Sequence, residues 1–133
     1  MANVVIIRGL PGSGKTTVAR SEFADHFAIA ADDYFTVGDR YEYDRTRIRD
    51  AHEWAIGLAQ TVLLGNVNVV IHNTFTARWE IDSYLRPLVN AGFDRLTIIS
   101  LFDAGMTDEG LAARCVHGVG VETIAKMRDR WEW

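Results

Sequence analysis

Short apolar runs alternate with amphipathic stretches along the whole chain. Four runs are rich in β-branched residues and have no alternating polar positions, which is typical of buried parallel strands; they cover residues 3–8, 27–31, 67–71 and 96–102. Between these runs, apolar residues recur three and four positions apart, as on one face of a helix. We expect helices at about 15–25, 44–65, 78–90, 108–115 and 122–130. The alternation predicts an α/β fold, a mostly parallel sheet with helices on both faces.

Two of the expected helices have a clear apolar face. In the helix at 44–65, the residues expected to face the core are Ile48, Ala51, Ala55, Leu58 and Val62. In the helix at 78–90, they are Ile81, Tyr84, Leu85, Leu88 and Val89. Proline at position 87 should kink or split the second helix, because it removes one donor from the hydrogen-bond ladder. Residues 36–43 are expected to form a polar connection.

A glycine-rich segment directly after the first strand matches G-x-x-x-x-G-K-[ST] at every specified position: residues 9–16 are Gly-Leu-Pro-Gly-Ser-Gly-Lys-Thr. Glycines that adopt positive φ turn successive N–H groups toward one point, and the following helix directs its positive end there. We therefore expect a phosphate-binding loop. The residues predicted to bind the nucleotide are Gly9, Pro11, Gly12, Ser13, Gly14, Lys15, Thr16 and Thr17, with Lys15 at the β- and γ-phosphates and the Thr16 hydroxyl on Mg²⁺.

Parallel strands end at one edge of a sheet, so polar residues at strand ends should meet the loop in one crevice. These residues are Asp32, His72, Asn73, Thr74 and Asp103. A cationic cluster lies early in the helix at 44–65 and consists of Arg45, Arg47, Arg49 and His52. The cluster has two interpretations of similar weight: a solvated helix face, or a contact site for an anionic substrate.

Composition narrows the class of protein. The 133 residues carry a net charge of -4, which argues against general affinity for nucleic acid but leaves a local basic groove open. The single cysteine excludes an internal disulfide and fits a reducing cytoplasm. No apolar run approaches the roughly 20 residues that span a bilayer. The chain is therefore expected to be a cytoplasmic protein without a membrane segment, and an oligomer remains open.

The chain resembles the AAA_33-type small P-loop kinases, a family that includes the kinase domain of bacteriophage polynucleotide 5′-kinase and many phage and bacterial ATP-binding proteins. The resemblance rests on residues 9–16, on Asp-Asp-Tyr-Phe at 32–35, on Asn-Thr-Phe-Thr at 73–76, on Arg-Trp-Glu at 78–80 and 130–132, and on Arg-Cys-Val-His-Gly-Val at 114–119. It implies one P-loop kinase-like domain over 1–133 with strand order 2-3-1-4, a lid at about 104–121, and ATP and Mg²⁺ as cofactors.

The resemblance also implies roles for individual residues. Asp32 matches the general base that accepts the proton of the attacking hydroxyl. Because the family's usual strand-end carboxylate is absent, Asp32, or water held by Asn73, would complete the shell of the metal held by Thr16. Arg114 matches a lid arginine that stabilises charge on the transferred phosphoryl group, so Lys15, Asp32 and Arg114 are the expected catalytic residues. The expected acceptor-side residues are Arg45, Arg47, Arg49, Thr74 and Arg78. A turn aspartate and a surface arginine are the plainer alternatives for Asp32 and Arg114.

Two positions depart from the family pattern. His72 stands where many relatives carry a strand-end aspartate, and histidine is a poor Mg²⁺ ligand. His72 is therefore expected to be a neutral, hydrogen-bonded side chain. Phe35 stands where the phage kinase carries a substrate-contacting arginine. The acceptor is thus expected to be a polynucleotide 5′-hydroxyl or a nucleoside-like molecule, with a small-molecule kinase or a nucleotide-binding switch without phosphotransfer as alternatives.

Overall fold

The structure is a computed structural model that describes residues 1–133. Six strands and five α-helices follow one another along the chain: β1 (Asn3–Gly9), α1 (Lys15–Glu22), β2 (Phe27–Ile29), β3 (Thr36–Val37), β4 (Arg40–Tyr41), α2 (Ile48–Leu64), β5 (Val69–Asn73), α3 (Arg78–Ala91), β6 (Arg95–Phe102), α4 (Asp108–Arg114) and α5 (Val121–Asp129). Two 3₁₀ turns, Ala31–Phe35 and Arg45–Arg47, precede β3 and α2 respectively.

The main sheet has four strands in the order β2-β5-β1-β6, and all three neighbouring pairs are parallel. These are the four strands predicted from the apolar runs, and their spatial order is second, third, first, fourth. The predicted α/β fold class is therefore confirmed. The strand numbers differ from the predicted 2-3-1-4 because β3 and β4 form a small antiparallel hairpin inside residues 36–43. Two-residue strands are too short to produce a recognisable alternating pattern.

Helices cover both faces of the sheet. The larger core lies under α2 and α3, where Ala55, Ala59 and Tyr84 pack against Ile6 and Ile71 of the central strands. On the opposite face, α1 packs Ala19 against the odd-numbered residues of β1. The small alanines of α2 allow its backbone to approach the sheet closely.

Several predicted details of the helices are wrong. Ile48 and Val89 are 40% and 63% exposed, because Ile48 starts α2 and Val89 lies one position beyond the buried Leu88. Pro87 lies inside α3 without splitting it. The backbone acceptor that loses its donor is the carbonyl of Ser83, an exposed residue, so water can replace the missing bond.

Several predicted boundaries also differ: α1 ends at Glu22 and β2 at Ile29, whereas the sequence predicts ends at residues 25 and 31. The helix expected from residue 44 begins as α2 only at Ile48, because Asp44 caps the preceding 3₁₀ turn by accepting a 3.0 Å bond from the Thr46 amide. The run 67–71 forms β5 two residues later, at Val69–Asn73. As a result, His72 and Asn73 belong to the strand itself.

The C-terminal segment closes over the end of β1 through Arg8. This arginine is 3% exposed and donates to the carbonyls of Phe75 and Thr76 at 2.7 and 3.2 Å. Its guanidinium lies 4.2 Å from the ring centre of Trp131, and the Glu132 amide donates to the Thr76 carbonyl at 2.8 Å. Arg8 thereby joins β1, the β5–α3 connection and the segment after α5.

Candidate active site at the phosphate-binding loop

The loop between β1 and α1 has the backbone that its glycines predict. Gly12 and Gly14 have φ of 82° and 98°, a region that residues with a Cβ rarely adopt. The Ser13 amide donates to the Leu10 carbonyl at 3.0 Å, which closes a turn at the loop's centre. Lys15 folds back over this turn, and its Nζ donates to the carbonyls of Gly9 and Leu10 at 2.9 and 3.1 Å.

The loop retains polar groups without partners. The N–H groups of residues 14–17, at the start of α1, have no hydrogen-bond acceptor in the protein. The Ser13 hydroxyl is buried and also lacks a partner. Burial lowers the pKa of Lys15 to about 8, although the nearby Asp32 carboxylate opposes this shift. Unpaired N–H donors and a desolvated amine at a helix N-terminus fit a polyphosphate, whose oxygens would supply the missing acceptors.

Helix α4 lies directly on this loop. A Cβ on Gly12 would overlap the carbonyl oxygen of Leu111 and lie 3.0 Å from the attached carbon. Arg114 ends α4 with its Nη2 3.8 Å from the position that a Cβ on Gly14 would take, while Nη1 lies 3.2 Å from the sulfur of Met106. The structure thus places Arg114 at the mouth of the loop. Movement of the predicted lid region, 104–121, remains a prediction.

Asp32 lies in the 3₁₀ turn that follows β2. The Asn73 side chain at the end of β5 accepts a 2.9 Å bond from the Ala31 amide and so fixes this turn beside the central strands. The Tyr41 hydroxyl donates to one Asp32 carboxylate oxygen at 3.1 Å, and His117 Nδ1 lies 3.3 Å from the other. Burial, and the charge of Asp32, raise the pKa of Tyr41 well above its usual value, so the phenol stays protonated and donates.

The end of β5 lies next to the loop. The Thr74 carbonyl accepts a 3.2 Å bond from the Gly9 amide, which places Thr74 beside the phosphate-binding loop. His72 is 9% exposed, and its pKa falls to about 4 because burial and the charges of Lys15 and Arg20 disfavour the imidazolium. His72 is therefore neutral, as predicted, but it lacks the predicted hydrogen bond within the chain.

The predicted acceptor-side arginines do not form one group. Arg45 and Arg47 line a pocket of about 610 Å³ with Tyr34, Phe35 and Tyr43. The Arg47 guanidinium lies 5.1 Å from the ring centre of Tyr34 and donates to its hydroxyl. The other two arginines lie elsewhere: Arg49 is 90% exposed with its Nε 3.6 Å from Glu53, and the backbone amide of Arg78 donates to Glu132.

The strand-end rule predicts Asp103 at the crevice, and the structure engages its carboxylate in an ion pair with α5. Its carboxylate lies 2.6 Å from Arg128, which also contacts Asp108 at 2.8 Å. The Arg128 hydrogen bond holds the pKa of Asp103 below its usual value. Phe102 has φ of 51°, and this turn directs the next residue toward α5. Asp103 thus joins β6 to the last helix.

No group of three or more His, Cys, Asp or Glu side chains in the structure could hold a metal ion. The fit to Mg²⁺ therefore depends on the Thr16 hydroxyl, exposed in the first turn of α1, and on the Asp32 carboxylate. Both are oxygen donors, which Mg²⁺ prefers, and Mg²⁺ commonly completes its shell with water and substrate phosphates.

The profile of the AAA_33 family, described as an AAA domain, matches residues 4–132. The chain belongs to the AAA_33 family. It is 29% identical over 133 residues to NEDD4-binding protein 2 of Homo sapiens, covering 97% of this AAA_33 chain and 8% of the human protein. The chain therefore corresponds to a small part of that relative.

Solved structures show the same fold. The AAA_33 domain superimposes on a chain of the Pnkp1/Rnl/Hen1 RNA repair complex with a TM-score of 0.73 at 18% identity, covering 97% of this chain and 43% of the other. A gluconokinase from Sinorhizobium meliloti 1021 gives a TM-score of 0.61 at 17% identity, covering 98% and 75%. The fold is that of small P-loop kinases. None of the helices has the length and apolar character needed to cross a membrane.

The contacts of two residues with Asp32 have no signal in the sequence. Tyr41 falls in a segment expected to be a polar connection, and His117 belongs to the family motif at 114–119, where a catalytic role is not expected for it. The structure brings both onto the Asp32 carboxylate. Only the folded hairpin β3–β4 and the connection between α4 and α5 bring these distant residues together.

Proposed function

We propose that the chain is an ATP-dependent phosphotransferase that moves the γ-phosphate of ATP to a hydroxyl acceptor, a polynucleotide 5′-hydroxyl or a nucleoside-like molecule. The observation that carries this proposal is the set of unpaired N–H groups at residues 14–17, with the desolvated Lys15 amine beside them. The Asp32 carboxylate and the Arg114 guanidinium lie at the same edge of the sheet as the loop. Membership of the AAA_33 family and the P-loop kinase fold support it.

In this proposal the protein binds and orients ATP, while Asp32 prepares the acceptor. Asp32 takes the proton of the acceptor hydroxyl while the hydroxyl oxygen forms a bond to the γ-phosphorus. The bond from that phosphorus to the β–γ bridging oxygen breaks, and ADP leaves with the bond's electron pair. Lys15 and Arg114 offset the charge on the phosphate oxygens. Thr16 and Asp32 would hold Mg²⁺, which would neutralise part of the phosphate charge.

We assign the acceptor to the pocket that contains Tyr34 and Phe35, which lie in the same 3₁₀ turn as Asp32. Aromatic rings with adjacent guanidinium groups suit a nucleic-acid strand, because bases stack on the rings and phosphates pair with arginine. Tyr34, Tyr43, Arg45 and Arg47 supply both kinds of group. We assign Arg45 and Arg47 to the acceptor, and we do not extend that role to Arg49 or Arg78, which lie outside this pocket.

An acceptor screen with γ-labelled ATP tests the proposal. The screen contains 5′-hydroxyl DNA and RNA oligomers, nucleosides and sugars, each with and without Mg²⁺. We expect label on the 5′-hydroxyl oligomers or nucleosides, and weaker oligomer binding as salt concentration rises. Transfer of label to sugars alone would indicate a small-molecule kinase and would contradict a polynucleotide or nucleoside acceptor. ATP binding without transfer to any hydroxyl would leave only a nucleotide-binding switch.

A further inference from the structure

His117 makes two contacts that join the lid region to the β3–β4 hairpin. Its imidazole stacks on the Tyr41 ring, with centroids 4.0 Å apart and planes inclined by 14°. Its Nδ1 lies 3.3 Å from Asp32 Oδ2, while the Tyr41 hydroxyl donates to Asp32 Oδ1 at 3.1 Å. Both oxygens of the carboxylate therefore have a partner contributed by the protein.

A base that accepts the proton of a substrate hydroxyl needs a carboxylate oxygen that this hydroxyl can reach. Tyr41 is poorly placed to leave, because it pairs with Thr36 in the hairpin and lies among the rings of Phe35 and Tyr43. The oxygen that can be released is therefore the one beside His117.

His117 lies on a connection that can change course at small cost. Gly118 has φ of 71°, and neither Gly118 nor Gly120 has an atom within 4 Å of the position that a Cβ would take. Val116 is 91% exposed. Withdrawal of His117 breaks one stacking contact and one polar contact, and it leaves the helices on both sides in place.

We propose that His117 occupies the acceptor's place in the acceptor-free protein: its Nδ1 stands where the acceptor hydroxyl would meet Asp32, and its ring covers the face of Tyr41 on which the acceptor's own planar ring would stack. This inference rests on the proposed phosphotransferase function and narrows its substrate. An acceptor that replaces both contacts needs a hydroxyl donor and, a few bonds away, a flat ring. A 5′-terminal nucleoside has both, whereas a sugar replaces only the polar contact.

The stacked pair is tested first without any substrate. The Cε1–H signal of His117, identified by its loss in His117→Ala, should be shifted upfield by the Tyr41 ring current in the proton NMR spectrum. Tyr41→Leu should return it to the position of an exposed histidine. Titration with a 5′-hydroxyl thymidine trinucleotide should move the wild-type signal downfield, the direction in which Tyr41→Leu moves it. A signal that already has the position of an exposed histidine, or that the trinucleotide leaves unchanged, would overturn the inference.

Kinetics supply the second test. Because His117 competes with the acceptor, His117→Ala should lower the KM for the trinucleotide by about 5- to 10-fold, the effect expected for one aromatic contact and one exposed polar pair. The KM for ATP and kcat should stay unchanged. Tyr41→Leu should raise the trinucleotide KM, because the stacking surface is lost. Val116→Ala, in the same connection but fully exposed, is the matched control and should change neither constant.

The outcomes separate this inference from the function on which it rests. A raised trinucleotide KM in His117→Ala would mean that His117 helps to bind the acceptor. A lower kcat at constant KM would mean that it holds Asp32 in position, and either result rejects the inference while the kinase function stands. If wild-type protein transfers phosphate to no hydroxyl, the proposed function fails, and the NMR titration still decides whether the trinucleotide displaces His117.

Discussion

Gly12→Ala tests the contact between the phosphate-binding loop and α4. Two costs add at this position. An alanine at φ of 82° loses about 1–2 kcal/mol from left-handed backbone strain. Its Cβ would also overlap the Leu111 carbonyl, so α4 must move away and loosen the cluster of Leu10, Leu111 and Ile124, which costs about 1–3 kcal/mol more. The free energy of unfolding should therefore fall by about 2–5 kcal/mol.

The measurement is urea unfolding followed by tryptophan fluorescence. Gly38→Ala is the matched control, because Gly38 also has a positive φ, 63°, but no atom within 4 Å of its added Cβ. It should lose only the strain energy, about 1–2 kcal/mol. If Gly12→Ala and Gly38→Ala were destabilised equally, α4 would not rest on the loop as described, and the position of Arg114 at its mouth would lose its support.

Three further predictions concern stability and the acceptor. Arg8→Met should destabilise the fold by about 1–3 kcal/mol in thermal unfolding, because it leaves the buried Phe75 carbonyl without a donor. The folded-state pKa of His72, about 4, lies below its ordinary value, so between about pH 6.5 and 4 the unfolded state binds one more proton than the folded state, and stability falls as the pH falls through that window. His72→Asn should remove about 1–3 kcal/mol of this loss, measured by urea unfolding at a series of pH values. The smaller loss that comes from His52, whose pKa is also lowered by burial, should remain. Arg45→Ala should weaken binding of a 5′-hydroxyl oligonucleotide, measured by fluorescence anisotropy, and reduce the salt dependence of the binding constant by about one unit of slope. Arg49→Ala should change neither quantity. Equal losses of affinity in the two variants would argue against the pocket as the acceptor site.

The fold was predictable where one strong local pattern decides the structure. The apolar runs locate the four strands of the sheet, and the glycine spacing locates the loop whose φ values the structure shows at Gly12 and Gly14. Local pattern fails where long-range contacts decide. Asp44 looks like the start of a long helix, yet its side chain caps a short turn instead. Val89 follows the helical spacing but is exposed next to the buried Leu88.

The candidate site was predictable only in part, for the same reason. Lys15, Asp32, Thr74 and Arg114 can be placed near one edge from strand order and family resemblance. The contacts of Asp32 with Tyr41 and His117 join residues far apart in the chain, and no spacing rule relates them. The strand-end rule also predicts Asp103 at the crevice, but it does not predict the ion pair of this carboxylate with Arg128.

The phosphate-binding loop is proposed to bind ATP, and Asp32 is proposed to accept the proton of the acceptor hydroxyl during transfer. The most direct measurement compares Lys15→Ala and Asp32→Ala with wild type, with ATP affinity measured by calorimetry and transfer of labelled γ-phosphate to a 5′-hydroxyl oligonucleotide measured in parallel. We predict that Lys15→Ala loses both ATP affinity and transfer, because it removes the amine beside the unpaired amides. Asp32→Ala should bind ATP as wild type does and lose transfer. Wild-type transfer by Asp32→Ala, or unchanged ATP affinity in Lys15→Ala, would contradict the account.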